Sequence, residues 1–198
     1  MVRKKRIWDP TVYYHVVSRG NRRDALFLDN RDFTIFMYIL QEVNGKTPFN
    51  LASYCIMTNH FHLQLNSTVD STSKIVGDIK RKYAQYYNNR YRLSGYVYDG
   101  RFYSKEITSP QGMLEVSRYI HLNPLKAYMI ETPEQYAWSS YKNYKLGYKN
   151  PPFLDSSPLT NNFSGSSIER MNKYLEYVQI DDEIKRISFL KGNYDQKV

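Results

Sequence analysis

Residues 54–65 read YCIMTNHFHLQL, which is two strand-like runs joined by a short turn. Successive side chains of a β-strand point to opposite faces, so every second residue shares a face. His60, His62 and Gln64 therefore project from one side of the second run, and the apolar residues between them project from the other. The stretch predicts a β-hairpin whose apolar face packs under helices and whose histidines stand on an open face of a sheet.

The elements around this hairpin follow a regular order. β-Branched and aromatic runs predict strands, and apolar residues at helical spacing after a capping residue predict helices. The order β-α-β-β-α-β is typical of an α+β fold of the ferredoxin-like or RRM-like type, a split βαβ antiparallel sheet with helices on one face. The predicted elements are a strand at 11–18, a helix from Asp29 or Asn30 to Val43, strands at 50–57 and 60–66, a helix from Ser71 or Ser73 to Arg90, and a strand at 100–107.

The chain after this sheet is predicted to be mostly helical. A third helix is expected over 110–122, ending at Asn123 because Pro124 disfavours helical geometry in the residue before it. Residues 147–167 are rich in Pro, Asn and Ser and predict a loop, and residues 167–191 predict a helix. The predicted organisation is a basic N-terminal arm at 1–10, one domain at 11–141, and a C-terminal helical extension at 142–198 that begins with a loop.

The charge of the chain is positive and unevenly distributed. The 198 residues carry a net charge of +9, and residues 1–110 hold 17 Lys and Arg against 9 Asp and Glu, whereas the remainder holds 11 against 10. Twenty tyrosines and nine phenylalanines accompany this charge. Cations for phosphates and flat rings for unstacked bases are what a single-stranded nucleic acid requires of its binding surface. The composition therefore favours nucleic-acid binding over the alternative of a basic globular protein with half-buried tyrosines.

The cysteine content and hydropathy indicate the compartment. A single cysteine, Cys55, excludes an internal disulfide framework and fits a reducing environment. No apolar run approaches the roughly 18 residues that would span a bilayer, and the basic N-terminus lacks the apolar segment of a secretory signal. We therefore expect a cytoplasmic protein with no membrane partner.

The pair His60 and His62 is a candidate metal site. Two neutral imidazoles one strand repeat apart are close enough to hold one cation, although such a pair on a strand is also found as structural or surface histidines. A structural zinc site needs four nitrogen or sulfur ligands, and only Cys55, His15 and His121 remain to supply them. The pattern therefore favours an incomplete protein shell with open positions for water or substrate oxygens.

Several motifs in order give the chain a family resemblance. The run YCIMTNHFHL is preceded by YHVVSRGNRR and followed by GRF and YIHLNPLKA. Together they resemble the single-tyrosine HUH transposases, in which HUH stands for His-hydrophobic-His, and most of all the branch associated with repetitive extragenic palindromes. The resemblance extends from about Val12 to Tyr141.

This resemblance implies a set of site residues. A divalent cation, Mg²⁺ or Mn²⁺, would be held at His60 and His62. The nucleophile would be Tyr119, on the helix after the fourth strand. Asn123, four residues later on the same helical face, would be a third and polar metal ligand, with Glu115 as a rival for that role.

The resemblance also implies a function and a partner. It implies a transposase that cleaves and rejoins single-stranded DNA through a 5′-phosphotyrosine intermediate, with hairpin or palindromic DNA as its substrate. It allows a homodimer. Two alternatives stay open: a non-catalytic module that binds single-stranded nucleic acid, and an HUH nuclease of the replication-initiator or relaxase type.

The remaining candidates are basic residues that would contact phosphates, although charged loop residues are often merely solvated. They are Arg3, Lys4, Lys5 and Arg6 in the arm, and Arg19, Arg22, Arg23 and Arg101 near the predicted strands. His15 is expected to be a structural histidine. His121, two residues from Tyr119 on a helix, is expected to face elsewhere and not to bind metal.

Overall fold

The computed structural model describes residues 8–145, 148–181 and 183–193 of the chain. The basic residues Arg3 to Arg6 of the predicted arm lie outside these ranges. The described elements, in chain order, are β1 Tyr13–Arg19, α1 Asn30–Lys46, β2 Asn50–Met57, β3 His60–Asn66, α2 Thr72–Tyr91, β4 Tyr103–Ile107, α3 Pro110–Lys126, α4 Ser157–Thr160, α5 Ser167–Gln179 and α6 Glu183–Asn193. Within these ranges no helix is both long and apolar enough to cross a membrane.

The four strands form one antiparallel sheet in the order β2-β3-β1-β4. This order and the two crossover helices confirm the predicted ferredoxin-like α+β fold. The register sets His15 of β1 opposite Gln64 of β3, and Val17 opposite His62. Because residues directly opposite each other share a face, His15 joins the histidines of β3 on one side of the two central strands.

The other face of the sheet packs under α1 and α2. Phe61, Leu63 and Leu65 are fully buried there, as their alternation with the histidines predicts. Burial of side chains of this size stabilises the fold by about 1.5–3 kcal/mol each. The hairpin is therefore held in its register, since a slip by one residue would move these three side chains out of the apolar core under α1 and α2 and would put the histidines into it.

The face that carries the histidines is not fully open. α3 lies across it over β2, where Ile120 packs with Cys55 and Met57, and Leu114 packs near Ala52. The predicted exposure of this face is therefore confined to the side of β1 and β4. Gln64, which was predicted to share the face of His60 and His62, is buried beneath α3. Its side-chain amide donates to the carbonyl oxygen of Met113 at 3.0 Å.

Some element boundaries differ from those predicted. β1 begins at Tyr13, because the Asp9 carboxylate accepts from the backbone N–H and hydroxyl of Thr11 and holds the preceding residues in a turn. β4 begins at Tyr103, after a turn in which Gly100 has a φ of +60°.

The predicted end of α3 is wrong by about one turn, since the helix continues through Pro124 to Lys126. Proline removes one backbone donor, but the Asn123 carbonyl still accepts from the Ala127 N–H at 3.0 Å and closes the last turn.

The C-terminal extension differs from its prediction in detail. A single-turn helix, α4, lies within the predicted loop, and the predicted helix at 167–191 is two helices separated at Ile180, whose ψ of 113° is extended. The extension packs on α3: Tyr174 and Tyr177 of α5 are buried in one cluster with Met113 and Leu114. The division of the chain at residue 141 stays a prediction.

A buried chain of hydrogen bonds joins α3 to this extension. Nε2 of His121 lies 2.8 Å from the Ser140 hydroxyl, and Nδ1 lies 2.9 Å from the Tyr174 hydroxyl. The Ser140 hydroxyl donates to the Tyr54 carbonyl, so Nε2 of His121 donates to Ser140 and Nδ1 accepts from Tyr174. Burial lowers the pKa of His121 to about 3, which keeps this ring neutral with one donor and one acceptor nitrogen.

We expect Tyr174→Phe to destabilise the protein, because it leaves the acceptor nitrogen of His121 buried without a donor. Such an unsatisfied group lowers the free energy of unfolding by about 1–3 kcal/mol. Urea denaturation followed by circular dichroism measures the change. Tyr38→Phe, which removes the hydroxyl of an exposed tyrosine on α1, is the matched control and should change stability by less than about 0.5 kcal/mol. Equal stabilities of the two variants would contradict this prediction.

Candidate functional site

The two histidines of β3 lie side by side at the edge of the region that α3 covers. Their ring centroids are 4.9 Å apart, and the rings are nearly perpendicular. His62 is only 3% exposed, whereas His60 is partly exposed. The pair therefore lines the boundary between the covered and the open half of the sheet face.

The hydrogen bonds of the two rings fix which nitrogens carry protons. Nδ1 of His60 lies 2.7 Å from the Asn59 side-chain oxygen, which can only accept, so Nδ1 is protonated and Nε2 has a free lone pair. Nε2 of His62 lies 3.2 Å from the Asn123 amide nitrogen, which donates to it, and Nδ1 of His62 then donates to Nε2 of His15 at 3.1 Å. Both rings thus carry a lone pair on Nε2.

The surroundings keep these rings neutral. Burial, together with the neighbouring imidazoles of His60 and His15, lowers the pKa of His62 to about 2. Burial and then the positive charge of Arg19 lower the pKa of His60. Only a neutral imidazole has the lone pair that a metal ion requires. At neutral pH both rings are therefore in the protonation state of a ligand.

Tyr119 of α3 stands directly beside the histidines. Its ring centroid is 5.4 Å from that of His62 and 5.9 Å from that of His15, in edge-to-face arrangements. The side chain is 43% exposed, so one side of the ring faces the open cleft. α3 is held for this by its Ser109 cap and by its packing on β2, which set the tyrosine over the centre of the sheet.

Asn123 follows Tyr119 by one helical turn and reaches the same histidine. Its amide nitrogen donates to Nε2 of His62, one of the two histidines that the resemblance assigns to the metal. A half-turn of the amide about its terminal torsion would replace this nitrogen by the side-chain oxygen. The structure therefore brings together Tyr119, His60, His62 and Asn123, the four residues predicted for the reaction and the cation.

The rival ligand Glu115 lies elsewhere. It accepts a hydrogen bond from the Tyr177 hydroxyl at 2.8 Å, and it lies 3.8 Å from the guanidinium of Arg186. His121 is buried on the other side of α3, as expected. Neither residue lines the cleft that contains Tyr119.

His15 belongs to the site, although it was expected to be only structural. It stacks on His62 with ring centroids 5.3 Å apart and accepts the hydrogen bond from Nδ1 of that ring. Burial lowers its pKa to about 4, so it is neutral and can accept. Knowledge that β1 pairs with β3 would have revealed this role. His15 lies opposite Gln64 in that pairing and therefore shares the face of His62.

A basic cleft of about 710 Å³ opens in front of these side chains. Three of the predicted phosphate contacts line it, namely Arg19, Arg23 and Arg101. Arg19 also forms an exposed ion pair with Asp99 at 3.4 Å, so part of its charge is compensated. Arg22 lies in the same loop with a φ of 52° but does not line the cleft. Contact of these arginines with a nucleic acid stays a prediction.

The donor set suits a divalent cation that retains open positions. Among the described residues, no three His, Cys, Asp or Glu side chains are arranged to hold a metal ion. Nε2 of His60 and of His62, with the Asn123 amide oxygen once the amide is turned over, would form a mixed set that fits transition-metal and Mn²⁺ or Mg²⁺ chemistry when other oxygens complete the shell.

Comparisons with known proteins identify the family of the chain. The family model described as IS200-like transposase matches residues 10–123, more than half of the chain. Among solved structures, that of a REP-associated tyrosine transposase bound to a REP hairpin is similar with a TM-score of 0.62 and 17% identity, over 79% of this chain and 93% of that one. No curated protein matches the sequence significantly. The matched segment contains both histidines, Tyr119 and Asn123, and the chain belongs to the IS200-like transposase family.

Proposed function

We propose that the protein is a metal-dependent endonuclease and strand transferase that acts on single-stranded DNA through Tyr119. The observation that carries the proposal is the 5.4 Å approach of the Tyr119 ring to His62, in a cleft lined by three arginines. The Tyr119 side chain is 43% exposed, and its ring lies edge-to-face against the neutral imidazoles of His62 and His15. Placed at the mouth of a basic cleft, it is suited to attack a phosphate.

The proposed reaction balances as follows. The Tyr119 hydroxyl loses its proton to water, and its oxygen forms a bond to the phosphorus of a DNA phosphodiester. The bond from phosphorus to the 3′ oxygen breaks, and that oxygen takes a proton and leaves as a 3′ hydroxyl. The 5′-phosphotyrosine that remains keeps the energy of a phosphodiester. A second 3′ hydroxyl can therefore reverse the step and join new strands without a nucleotide cofactor.

The residues around Tyr119 have separate roles in this proposal. A cation held by His60, His62 and Asn123 would neutralise a non-bridging phosphate oxygen and stabilise the charge of the transition state. The arginines of the cleft would position the strand through its phosphates. His15 would hold the His62 ring so that Nε2 faces the cation. The metal is Mg²⁺ or Mn²⁺ in this proposal.

The proposed substrate is a folded single strand. The similar solved transposase is bound to a hairpin, and the same class of DNA is proposed for this chain. One protomer contains Tyr119 beside its own histidines, so the proposed site needs no residue from a second copy. A homodimer and a cytoplasmic location stay predictions, and size-exclusion chromatography with light scattering measures the first of them.

The test is a covalent trapping assay. The protein is incubated with a pool of single-stranded oligonucleotides that share a hairpin and carry randomised flanks, with Mn²⁺ or with EDTA. We expect a 3′ label to migrate with the protein on a denaturing gel and a 5′ label to be released, in the presence of Mn²⁺ only. Binding without any adduct would indicate the alternative, a non-catalytic binding module. An adduct with the 5′ label would contradict the proposed polarity.

Removal of the His15 acceptor nitrogen should weaken metal binding. His15→Phe keeps an aromatic ring in place but removes the acceptor for Nδ1 of His62, and loss of such a partner typically lowers metal affinity about 10- to 100-fold. The Mn²⁺ concentration that gives half-maximal adduct should rise accordingly, while the yield at saturating Mn²⁺ is retained. His15→Gln, which can offer an oxygen acceptor, should restore much of the affinity. An unchanged Mn²⁺ requirement in His15→Phe would remove His15 from this role.

A further inference from the structure

A second groove lies between α2 and the loop that leads into β4. It adjoins the basic cleft that contains Tyr119, which is the catalytic cleft of the proposed function. The groove has a volume of about 550 Å³, within the range of about 300–1,000 Å³ that ligand sites occupy. Lys80, Arg81 and Arg101 line it, and Arg81 also forms an exposed ion pair with Asp78 at 2.9 Å. Arg101 lines the catalytic cleft as well, so the two depressions are continuous at this residue.

An exposed tyrosine forms one wall of this groove. Tyr96 is 91% exposed, which leaves both faces of its ring to solvent. The floor is formed in part by Tyr98, whose ring is buried and carries the ammonium of Lys80 at 4.6 Å from its centroid. A free aromatic face beside cations is the arrangement on which an unpaired base stacks while its phosphates are held.

The backbone on both sides of Tyr96 is fixed, so the ring is presented on a rigid support. The Gly95 carbonyl accepts from the Asn88 side chain at 3.2 Å, and the Val97 carbonyl accepts from the Asn21 N–H at 2.9 Å. Further along the loop, Lys80 donates to the Gly100 carbonyl at 2.9 Å. A backbone that is held in advance need not be ordered on binding, which lowers the entropic cost of the contact that its side chain makes with a base.

We propose that this groove is a binding site for an unpaired nucleotide of the DNA strand that enters the catalytic cleft, with the base stacked on Tyr96. The phosphates of the same strand contact Lys80, Arg81 and Arg101. Because Arg101 lines both depressions, it contacts the strand where it passes from the groove into the cleft. The site selects a strand that is unpaired next to the reacting phosphate, because a base within a duplex cannot reach the ring. The identity of the strand rests on the proposed function, whereas the stacking on Tyr96 is tested separately.

The experiment compares two probes that differ only in their bases. One is oligo(dT) of about 20 nucleotides, longer than the roughly 4–16 that one binding fold covers, and the other is an abasic chain of equal length. Fluorescence anisotropy without metal gives both affinities. Tyr96→Ala should bind oligo(dT) about 10-fold more weakly than the wild type, a loss of about 1.4 kcal/mol that lies within the range for one stacked base. Its affinity for the abasic chain should be unchanged.

Three variants complete the test. Tyr96→Phe keeps the ring and should bind oligo(dT) within about twofold of the wild type, since stacking does not need the hydroxyl. Tyr38→Ala removes another exposed tyrosine, on α1, and should bind like the wild type. Arg81→Gln should weaken both probes alike, because a phosphate contact does not depend on the base.

Unchanged oligo(dT) binding by Tyr96→Ala would overturn the proposal, and so would an equal loss for both probes or a similar loss in Tyr38→Ala. The covalent assay keeps this outcome apart from that of the proposed function. Tyr96 does not line the catalytic cleft, so Tyr96→Ala should raise the DNA concentration that gives half-maximal adduct by about the same factor as it weakens oligo(dT) binding. A wild type that binds but forms no adduct contradicts the chemistry alone, and a wild type that does not bind oligo(dT) contradicts both.

Discussion

Tyr119→Phe is expected to abolish the covalent protein–DNA adduct and to lower strand cleavage by about 1,000-fold or more. The reason is that the variant lacks the attacking oxygen, and removal of a nucleophile eliminates the covalent route entirely. The ring that packs edge-to-face on His62 and His15 is retained, so the fold and the affinity for DNA should be preserved. Denaturing electrophoresis with 3′-labelled DNA measures the adduct, and anisotropy measures binding.

The matched control is Tyr103→Phe. Tyr103 lines the same cleft, is 55% exposed and approaches His15 with ring centroids 6.4 Å apart. It therefore is the other phenol that a DNA phosphate could reach beside the histidines. Tyr103→Phe should form the adduct at nearly the wild-type rate. An adduct in Tyr119→Phe that disappears in Tyr103→Phe would transfer the role of nucleophile to Tyr103.

The second large effect is expected at the histidine pair. His60→Ala and His62→Ala each remove an imidazole that we propose as a metal ligand. We expect either change to lower metal-dependent cleavage by roughly 1,000-fold, which corresponds to the several kcal/mol that a bound cation supplies to the transition state. The loss should persist at high Mn²⁺ in the double variant. Electron paramagnetic resonance of Mn²⁺ provides a readout that does not depend on activity, since the wild type should deplete the free-ion signal and the double variant should not.

The effect on the fold separates these two positions. His60 is partly exposed and its loss should leave the melting temperature unchanged, whereas His62 is buried between His15 and Asn123 and its loss creates a cavity. His60→Ala is therefore the cleaner test of the metal. If His60→Ala cleaved DNA at the wild-type rate and with the wild-type Mn²⁺ requirement, the cation would bind elsewhere in the protein.

The hairpin shows how far the sequence alone carries the fold. Its strands were predicted at the residues where they occur, because alternation of histidine and apolar side chains over 60–65 permits one register only. The same pattern identified which face His60 and His62 share. Tyr119 could not be chosen among twenty tyrosines from spacing alone, and its selection depended on the family resemblance.

Features that depend on distant parts of the chain were not predicted. His15 joins the site only because β1 pairs with β3, and a register between separate strands is not written in either of them. The loop around Tyr96 contains no periodic pattern. Its conformation depends on hydrogen bonds to Asn21 and Asn88, which belong to other elements. The packing of α5 on α3 likewise depends on contacts between residues more than 50 positions apart.

The packing of α5 on α3 determines which segment of the chain could be replaced by the corresponding segment of a related protein. α3 cannot be replaced alone. A graft of α3 without Ser140 and α5 would leave the His121 ring without its hydrogen-bond partners, and it would expose the apolar surface around Tyr174. A chimaera built to change the geometry of Tyr119 should therefore transplant α3 and everything that follows it as one cassette.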